Sequence, residues 1–351
     1  MLACNTFRMR VMLLALIAVW SLGSAVCAEE PAATGPRTIT VALDGSGDFT
    51  SIQEAVDAAK KGDTVFIKPG EYAQDLTIHS KDSIKLVGAG VDKVTMLGQG
   101  QLVGVLHVGK WPYGATNIEI RGLTINEHGG HALGIFNGER ITLRDLRVKG
   151  MVFGQQVQHV RIEDCVIGGS ETTGVQFADS QAVLIHNYIH DNDHGVNIAG
   201  KSEVRLEENI ITRSLFEAVV VTDKAKAMLV RNTLVKNGGG VAFLGYSQSD
   251  AMGNIFGLNK VGVLMAPSSK ATLSFNAFQS SEHHYMRAGS PNVPAPELKA
   301  DSDIFGDPRF VNPDQEDYRL RSDSPLVHVG QFPFLGALPP VQAPTAQRQQ
   351  K

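Results

Sequence analysis

A repeat of about 22 residues is the feature of this sequence that most constrains its fold. From about residue 117 onward, alternating apolar residues lead to an Asn, Asp or Gly, and a second short apolar run follows. The marker residues of this plan are Gly122, Asp145, Asp164, Asn187, Asn209, Asn232, Asn254 and Asn276. Their spacing of 19 to 23 residues is typical of a solenoid, in which each repeat forms one coil. We expect the Asn column to mark a bend where each amide bonds the backbone of neighbouring coils.

A second motif lies between the markers and indicates how each coil is built. It reads GVQF at 174–177, GVNI at 195–198, AVVV at 218–221, GVAF at 240–243 and GVLM at 262–265. Each repeat therefore offers about three strands of three to five residues, too short for independent hairpins and without room for a helix. Coils stacked at about 4.8 Å form three parallel sheets with apolar columns inside. We predict an all-β fold, a right-handed parallel β-helix; a leucine-rich repeat, the main alternative, would need a Leu-x-x-Leu-x-Leu series, which is missing.

The open ends of such a helix need covers, because each end exposes core and unpaired strand edges. The stretch LDGSGDFTSIQEAV, residues 43–56, fits one of these covers. Ser51 and Glu54 form a capping box, with Ser51 as the N-cap. Ile52 and Val56 then lie on the apolar face of a short helix, which we predict to cover the N-terminal end.

The predicted regions follow from where the repeat starts and stops. The repeat of about 22 residues ends after residue 281, and the last residues of the chain are rich in Pro and Gln. We predict a signal peptide at 1–28, a flexible lead-in at 29–37, the β-helix domain at 38–334 and a disordered tail at 335–351. Within the domain we distinguish a cap and first strand at 38–72, regular coils at 117–281 and an irregular C-terminal closure at 282–330.

The first residues and the charge indicate an exported protein that does not bind nucleic acid. Arg8 and Arg10 precede an apolar run too short to span a bilayer, and Ala28 ends a small-residue cleavage site. Cleavage there removes two arginines and no acids, so the net charge changes from −4 to −6, and Cys165 is left as the single cysteine. No basic run of five or more residues occurs. We expect a periplasmic or extracellular location without membrane contact after cleavage; the sequence leaves the oligomeric state open.

Two segments resemble families with this architecture. VALDGSGDFTSIQEAVDAAKKGDTVFIKPGEY resembles the start of pectin methylesterases, which share the Asp-Gly-Ser-Gly-Asp-Phe run, the short helix and the Pro-Gly-x-Tyr turn. The ending, DPRFVNPDQEDYRL and DSPLVHVG, resembles that of exported bacterial β-helix proteins, and the middle coils resemble their generic right-handed repeat. The resemblance covers nearly the whole mature chain and implies membership of the pectin-lyase-like superfamily, which shares the β-helix.

The esterase chemistry does not come with this resemblance. The family's nucleophilic aspartate lies in an Asp-Phe-Ile-Phe-Gly segment, which is matched by EDCVIGGSETTGVQFADSQAVLI at 163–185. Aligned from one side the nucleophile falls on Gly174, and aligned from the other it falls on Thr172, next to Glu171. The family's Gln-Asp-Thr-Leu and Leu-Gly-Arg-Pro-Trp segments are absent as well. The resemblance therefore implies the fold without pectin methylesterase activity.

Substrate-binding candidates come from the outward face of the GVxF strands. Because side chains alternate along a strand, Val175 and Phe177 should point inward. The outward columns are then Gln176, Asn197, Val220, Ala242 and Leu264, and beside them Ala178, Ala199, Thr222, Leu244 and Ala266. Neither column contains a carboxylate, a lysine or an arginine, although acid/base catalysis needs paired titratable groups. Gln176, Asn197 and Tyr246 are the candidates for contacting a substrate.

Titratable groups concentrate in the turns before these strands. Counting from the strand start puts His194 and Glu217 in one column on adjacent coils, and we take these two with Asp193, Asp191 and Glu171 as catalytic candidates. Asp191, Asp193 and His194 are also the metal candidates, since carboxylates and imidazole bind Ca²⁺ or a transition metal. The alternative is that the Asp, Asn, His and Gly residues here only satisfy tight turns.

Three further features have both a structural and a functional interpretation. Arg121, Arg144 and Glu163 share an outward column that could hold a polyanion, although a surface pair of Arg144 with Glu163 is the simpler interpretation. Cys165 is interpreted as a buried repeat residue. The excursion 282–303 either covers the helix end or forms the wall of a site.

Two functions remain open from the sequence. The first is an exported protein that binds or processes an acidic polysaccharide; if it is an enzyme, we expect a lyase, an epimerase or a hydrolase. The second is a non-catalytic periplasmic β-helix protein that binds metal or a protein partner, which needs no catalytic pair. Turnover of pectate or alginate, with and without Ca²⁺, distinguishes the two.

Overall fold

The repeat forms a parallel β-helix of about 11 coils, with about 22 residues in each coil. The computed structural model describes residues 35–100, 104–279 and 282–341, so the predicted signal peptide lies outside the described residues. By internal contacts the chain divides into Met1–Gly35 and Pro36–Lys351, and the solenoid belongs to the second unit. No helix within the described ranges is long and apolar enough to cross a bilayer. The predicted all-β fold class is confirmed.

Each coil contributes to three parallel sheets, which we number in the order of the chain. Sheet 1 contains Thr38–Val41, Thr64–Ile67, Lys85–Gly88, Val160–Glu163, Gln181–Ile185, Glu203–Glu207, Lys226–Val230, Gln248–Met252 and Lys270–Ser274. Sheet 2 contains Gly70–Ala73, Val94–Leu97, Val166–Gly168, Tyr188–His190, Ile210–Thr212, Thr233–Val235, Ile255–Gly257, Ala277–Gln279 and Ile304–Phe305. Sheet 3 contains Leu76–Ile78, Leu106–Val108, Thr173–Ala178, His194–Ala199, Glu217–Val221, Gly239–Phe243, Val261–Met265 and His283–Arg287, with Val293–Pro294 antiparallel to the last. Two long strands bend through all three sheets, Thr116–Phe136 and Glu139–Gln155.

Alternation along the strands places one apolar set of side chains inside the coil. Val175 and Phe177 are fully buried, as predicted, whereas Gln176 between them faces outward. Inward positions are aligned from coil to coil, so Val, Ile, Leu and Phe side chains stack into one continuous core. Burial of this apolar surface is the main favourable contribution to folding.

The N-terminal end is closed by the predicted helix, Ile52–Ala58. The helix begins at Ser51, whose hydroxyl accepts the N–H of Glu54 at 3.4 Å. The side chain of Gln74 accepts the next free amide, the N–H of Ile52, at 2.9 Å. The apolar face of the helix is fully buried in the main core.

Coil stacking begins earlier in the chain than the repeat predicts. Strand register pairs Thr38 with Thr64 and Thr64 with Lys85, so the solenoid starts well before the predicted regular coils. These first coils differ in length because extra residues loop out between strands, which hides the period in the sequence. Arg37, assigned to the flexible lead-in, already donates its main-chain N–H to Asp63 at 3.0 Å.

A ladder of buried asparagines lines the bend between sheets 1 and 2. In Asn232, for example, Oδ1 accepts the N–H of Asn209 at 2.9 Å and Nδ2 donates to the carbonyl of Leu206 at 3.0 Å. The members are Asn187, Asn209, Asn232, Asn254 and Asn276, followed by Asp303. The predicted bonding of the Asn column to neighbouring coils is confirmed, and it pairs polar groups that would otherwise be buried alone.

The predicted marker column is wrong by one residue in its first half. Strand register pairs Glu163 with Ile185, so Cys165, and not Asp164, is level with Asn187. The N–H of Cys165 donates to Asn187 Oδ1 at 3.0 Å, which makes Cys165 the first step of the ladder. Asp164 instead occupies the left-handed backbone of the bend, with φ at 54°, which aspartate tolerates better than most residues. Asp and Asn are both turn residues, so residue type alone does not separate the two positions.

The C-terminal end is closed by the excursion 282–303 and two small hairpins. Tyr285 and Ala295 of the excursion are buried in the main core, and the Ala295 N–H donates to the Tyr285 carbonyl at 3.0 Å. The excursion therefore covers the helix end. The rest of the closure contains the 3-10 helices Pro296–Leu298 and Pro313–Gln315 and the antiparallel pairs Phe310–Asn312 with Asp317–Leu320 and Val327–Val329 with Phe332–Phe334.

Residues 335–341, predicted to belong to a disordered tail, pack against the solenoid. Leu335 is fully buried, and the N–H of Gly336 donates to the carbonyl of Gly253 at 2.9 Å. The predicted tail therefore starts too early, because two buried side chains, Leu335 and Ala337, and main-chain hydrogen bonds anchor a stretch whose composition is typical of disorder. Residues 342–351 lie outside the described residues.

Two residues beside the first bend have the structural roles predicted for them. Arg144 Nε lies 3.5 Å from Glu163 Oε1 on the next coil, which is the predicted surface pair. Cys165 is 1% exposed, and burial raises the pKa of its thiol to about 12. A thiol with so high a pKa is not a nucleophile at neutral pH.

Candidate functional site

The outer face of sheet 3 carries one unbroken column of positions on successive coils. Strand register aligns, from coil to coil, His107, Gly134, Phe153, Gln176 and Asn197. The column continues through Val220, Ala242, Leu264 and Met286. At about 4.8 Å for each coil, the first five positions span about 19 Å. We use the name sheet 3 strip for the side chains of His107, His131, Phe136, Phe153, Gln176 and Asn197.

Aromatic rings form the first half of the sheet 3 strip. The ring centroids of His107 and Phe136 are 5.4 Å apart, those of Phe136 and Phe153 are 5.8 Å apart, and those of His131 and Phe153 are 5.4 Å apart. Gly134 makes this packing possible, because a Cβ there would lie 2.6 Å from Phe136 Cε2. Burial, and then the neighbouring His107, lower the pKa of His131, so its ring is neutral at pH 7.

Two exposed aromatic side chains lie on the turn that follows the first strand of the strip. Trp111 is 77% exposed and Tyr113 is 58% exposed. Their turn connects Leu106–Val108 of sheet 3 to the long strand Thr116–Phe136. Together with the strip they provide flat apolar surface, of the kind that packs against ring-shaped ligands.

Amide side chains form the second half of the sheet 3 strip. Gln176 and Asn197 face outward on adjacent coils, and Asn197 Oδ1 is buried without a hydrogen bond from any described residue. A buried acceptor left unpaired is unfavourable by about 1–3 kcal/mol, so this atom is a place for a ligand donor. Val220 and Ala242, the next two positions, are 8% and 1% exposed, and the polar part of the column ends before them.

His194 and Glu217 meet on adjacent coils at the edge of the strip, as the strand count predicts. His194 Nδ1 lies 3.3 Å from Glu217 Oε2, and the imidazole stacks on the ring of Phe216 with centroids 5.1 Å apart. The contact with His194 lowers the pKa of Glu217 although burial opposes it, so the carboxyl is ionised at neutral pH. Nδ1 of His194 is buried and forms no hydrogen bond with a described residue, so Glu217 is an ion-pair neighbour of the imidazole. A carboxylate in this place can orient an imidazole.

Asp191, a catalytic and metal candidate, belongs to a different network on the sheet 2 side. Its carboxylate accepts from Arg213 Nε at 2.6 Å, from Arg213 Nη2 at 2.7 Å and from His190 Nδ1 at 2.7 Å. Arg213 also forms an ion pair with Glu316 of the C-terminal closure. Hydrogen bonds from Arg213 hold the pKa of Asp191 at about 2. Asp191 therefore holds the arginine that joins the closure to the solenoid.

The three metal candidates do not converge on one point. Asp191 faces Arg213 and His194 faces Glu217, while no described residue forms a hydrogen bond or ion pair with the carboxylate of Asp193. Across residues 35–100, 104–279 and 282–341, no three His, Cys, Asp or Glu side chains are grouped to hold a metal ion. The predicted Ca²⁺ or transition-metal site is thus not formed by these residues, because neighbours along a tight turn point in different directions.

Neither of the remaining candidates forms a hydrogen bond or ion pair with the side chains of His194 and Glu217 among the described residues. Glu171 is exposed on the turn before Thr173–Ala178. Tyr246, 68% exposed, lies on a turn at the opposite edge of sheet 3, between its strand and the next strand of sheet 1. The structure thus brings together two of the catalytic candidates, His194 and Glu217, and, separately, the two amides of the strip.

Sequence reasoning missed the aromatic half of the strip. The GVxF motif was followed from residue 174 onward, but the same column continues back through MVFG at 151–154 and HALGIF at 131–136. The alternation of inward and outward side chains could have identified these residues. Val152 is level with the inward Val175, so the next residue, Phe153, lies on the outer face. Irregular spacing between the first coils obscured this alignment.

Comparisons with known proteins agree with the fold. The family model described as "Right handed beta helix region" matches residues 112–278. Pectinesterase 31 of Arabidopsis thaliana is 24% identical over 216 residues, which cover 54% of this chain and 67% of that protein. A pectinesterase of Petunia integrifolia is 27% identical over 164 residues, which cover 41% of this chain and 42% of that protein. The chain thus spans less than half of the second relative.

A solved structure extends the likeness to nearly the whole chain. Pectate lyase Pel9A superposes with a TM-score of 0.52 at 12% identity, over 88% of this chain and 97% of that chain. A likeness at this identity shows the fold, the right-handed parallel β-helix, and does not by itself transfer an activity.

Proposed function

We propose that this chain, a right-handed parallel β-helix protein of the pectin-lyase-like superfamily, binds an acidic polysaccharide along the sheet 3 strip. The observation that carries the proposal is the continuous run of aromatic rings and amides on one outer face. Aromatic faces pack against the C–H faces of sugar rings, while amide N–H groups and imidazoles bind hydroxyl and carboxylate oxygens. The pectinesterase relatives and the pectate lyase support a chain of uronic acids as the ligand class.

We expect polysaccharide binding to the sheet 3 strip to depend on pH. The basic side chains of the strip are imidazoles. Burial and a neighbouring imidazole lower the pKa of His131. His131 is therefore neutral at pH 7 and becomes a cation only below the ordinary imidazole pKa of about 6.5. We expect affinity for polygalacturonate to rise as the pH falls from 7 to 5, where the sugar carboxylates are still ionised. A His131→Gln variant should lose this rise.

A matched pair of ring removals tests the proposal. We expect Phe153→Leu to weaken binding to polygalacturonate or alginate by about tenfold, or 1.4 kcal/mol, because leucine keeps an apolar side chain and removes the flat stacking surface. Phe305→Leu is the control, since Phe305 is an exposed aromatic of the C-terminal closure, 38% exposed. Affinity electrophoresis and calorimetry measure both variants. Equal effects of the two variants, or no binding by the folded wild type, would refute the proposed function.

A second candidate function, proton transfer on the bound glycan, is supported by the His194–Glu217 pair. An imidazole oriented by a carboxylate at its far nitrogen can remove a proton from a uronate in a lyase or epimerase reaction. We expect any turnover of pectate or alginate to be abolished by His194→Ala and reduced, but retained, in Glu217→Gln. If the wild type binds these glycans without turnover, the binding function stands without catalysis.

The proposal includes export to the periplasm or the extracellular space. Arg8, Arg10, the apolar run and the small residues ending at Ala28 support it, and polysaccharides of this class lie outside the cytoplasm. Mass spectrometry of the protein recovered from the periplasm or medium tests it. The expected mature N-terminus is Glu29, and an intact N-terminus in the cytoplasmic fraction would refute export.

A further inference from the structure

The outer face of sheet 1 contains a groove that is separate from the sheet 3 strip. Its volume is about 860 Å³, and it crosses five consecutive strands of sheet 1. The floor is the main chain of one register column, Ala182, Val204, Ala227, Ser249 and Ala271, whose small or apolar side chains alternate to the inner side of the sheet. Four spacings of about 4.8 Å make the groove about 19 Å long, parallel to the solenoid axis. We call it the sheet 1 groove.

Two columns of longer side chains form the walls of the sheet 1 groove. The first wall is Gln181, Glu203, Lys226, Gln248 and Lys270. The second wall is Val183, Arg205, Met228, Asp250 and Thr272. Every coil therefore offers at least one hydrogen-bonding side chain to a ligand in the groove.

The charges of the groove balance. Lys226 Nζ lies 2.8 Å from Glu203 Oε1, and Arg205 Nε lies 2.9 Å from Glu207 Oε2 at the edge of the groove. This leaves one charge of each sign facing the groove, Lys270 and Asp250, and no described residue forms an ion pair with either of them. An acidic polymer would meet a single uncompensated cation here and an opposing carboxylate on the next coil.

Most of the sheet 1 backbone in the groove is already paired. Four of the five strands are hydrogen-bonded to sheet 1 neighbours on both sides, and the last, Lys270–Ser274, is paired on one side. A peptide adds to a sheet at a free edge, whereas this groove lies on the face and runs across the strands. The free groups that a ligand can use are therefore side chains, namely Gln181, Gln248, Asp250, Lys270 and Thr272.

We propose that the sheet 1 groove binds an uncharged linear polysaccharide, laid along the solenoid axis across about five coils. Sugar hydroxyls both donate and accept, so they match walls that mix amides, a carboxylate, an ammonium and a hydroxyl. The sugar C–H faces match the partly exposed apolar side chains of Val183 and Met228 in the second wall. This site goes beyond the proposed function: it lies on another face, takes a glycan of another charge class, and would let one molecule hold two chains.

Calorimetric titration with the full chain tests the inference. The probes are cellohexaose, xylohexaose and mannohexaose as uncharged hexamers, and hexagalacturonate as the acidic one. We expect at least one uncharged hexamer to bind the wild type. The double substitution Asp250→Ala with Lys270→Ala, which leaves the net charge unchanged, should weaken that binding by about tenfold or more. Gln248→Ala should weaken it to a smaller degree.

Phe153→Leu, on sheet 3, is the control and should bind the uncharged hexamer as the wild type does. The inference is overturned if none of the three uncharged hexamers binds the folded protein, or if the double variant binds unchanged. It is also overturned if hexagalacturonate binding is the one lost in the double variant. Because the proposed function is tested with polygalacturonate and Phe153→Leu, either proposal can fail while the other holds.

Discussion

At the scale of single residues, two aspartates in one turn show how backbone direction decides the role of a side chain. Asp191 has left-handed backbone, with φ at 54°, and its carboxylate binds Arg213 on the next coil. Asp193, two residues later, forms no ion pair with any described residue, and it precedes His194, which turns toward Glu217. The sequence HDNDHG offers all three groups together, but their directions depend on the φ angles of the bend. The pairing of His194 with Glu217 was predictable from strand counting, and the separate network of Asp191 was not.

The ion pair of Asp191 predicts an acid-sensitive contribution to stability. Hydrogen bonds from Arg213 hold the pKa of Asp191 at about 2, below its ordinary value of 3.8. A carboxyl whose folded pKa is lowered stabilises the fold above its unfolded pKa, and the contribution is lost as the pH falls toward 2. We expect Asp191→Asn to lower the free energy of unfolding by about 1 kcal/mol at pH 7, since both side chains are partly exposed. The difference from wild type should shrink between pH 4 and pH 2.

Denaturant unfolding across this pH range measures the difference, with Asp193→Asn as the control. Asp193 lies in the same turn and lacks an ion pair among the described residues, so its substitution should change stability little at any pH. A stability difference for Asp191→Asn that stays constant down to pH 2 would show that the ion pair with Arg213 is not its cause.

At the scale of elements, the strands and bends were predictable to the extent that they repeat. Three strands for each coil, the inward position of Phe177 and the capping helix at Ser51 follow from alternation, spacing and capping chemistry. The early coils were missed because their connecting loops differ in length, although Thr38 already pairs with Thr64. The one-residue error at Cys165 has a similar cause, since a bend contains two turn positions and several residue types suit both.

The asparagine ladder predicts that its central members contribute strongly to stability. Asn232 is fully buried, accepts from Asn209 through Oδ1, and donates to Leu206 and Asn254 through Nδ2. Asn232→Ala leaves a buried N–H and a buried carbonyl unpaired, and each unpaired group is unfavourable by about 1–3 kcal/mol. We therefore expect a loss of about 3 kcal/mol in the free energy of unfolding, measured by guanidinium denaturation.

Asn192→Ala is the matched control for the ladder. Asn192 is also buried, but its Oδ1 accepts one hydrogen bond, from the N–H of Ser170, and no described residue accepts from its Nδ2. Its substitution should lower stability by less than half as much as Asn232→Ala. Equal losses at the two positions would mean that side-chain volume, and not the ladder of hydrogen bonds, is responsible.

At the scale of the whole molecule, a three-sided solenoid presents different surfaces on its sheets. The sheet 3 strip is aromatic and amide-rich, whereas the sheet 1 groove is lined by charged and amide side chains whose charges balance. The sequence indicated the outward columns of sheet 3, but the groove of sheet 1 depends on how two ridges of side chains stand above their floor. That depth arises only after the coils are stacked in register, so it could not be obtained from a single repeat.

The same architecture predicts that stability is local along the solenoid axis. Each coil contacts mainly its neighbours, so loss of an end contact should affect the nearest coils first. Asp303 ends the asparagine ladder: it accepts the Asn276 N–H at 2.9 Å, the Ala300 N–H at 3.0 Å and the hydroxyl of Tyr285. Asp303→Ala removes all three hydrogen bonds at once and should loosen the C-terminal closure without unfolding the central coils.

Hydrogen exchange with peptide-level mass spectrometry measures this effect. We expect protection in Ala277–Gln279 and His283–Arg287 to fall by at least about tenfold, while Thr173–Ala178 keeps wild-type protection. Asp303→Asn is the control, because it retains an acceptor oxygen for Asn276 and should preserve most of the protection. If Asp303→Ala lowers protection equally in all three strands, the solenoid unfolds as one cooperative unit, and the nearest-neighbour description does not hold for it.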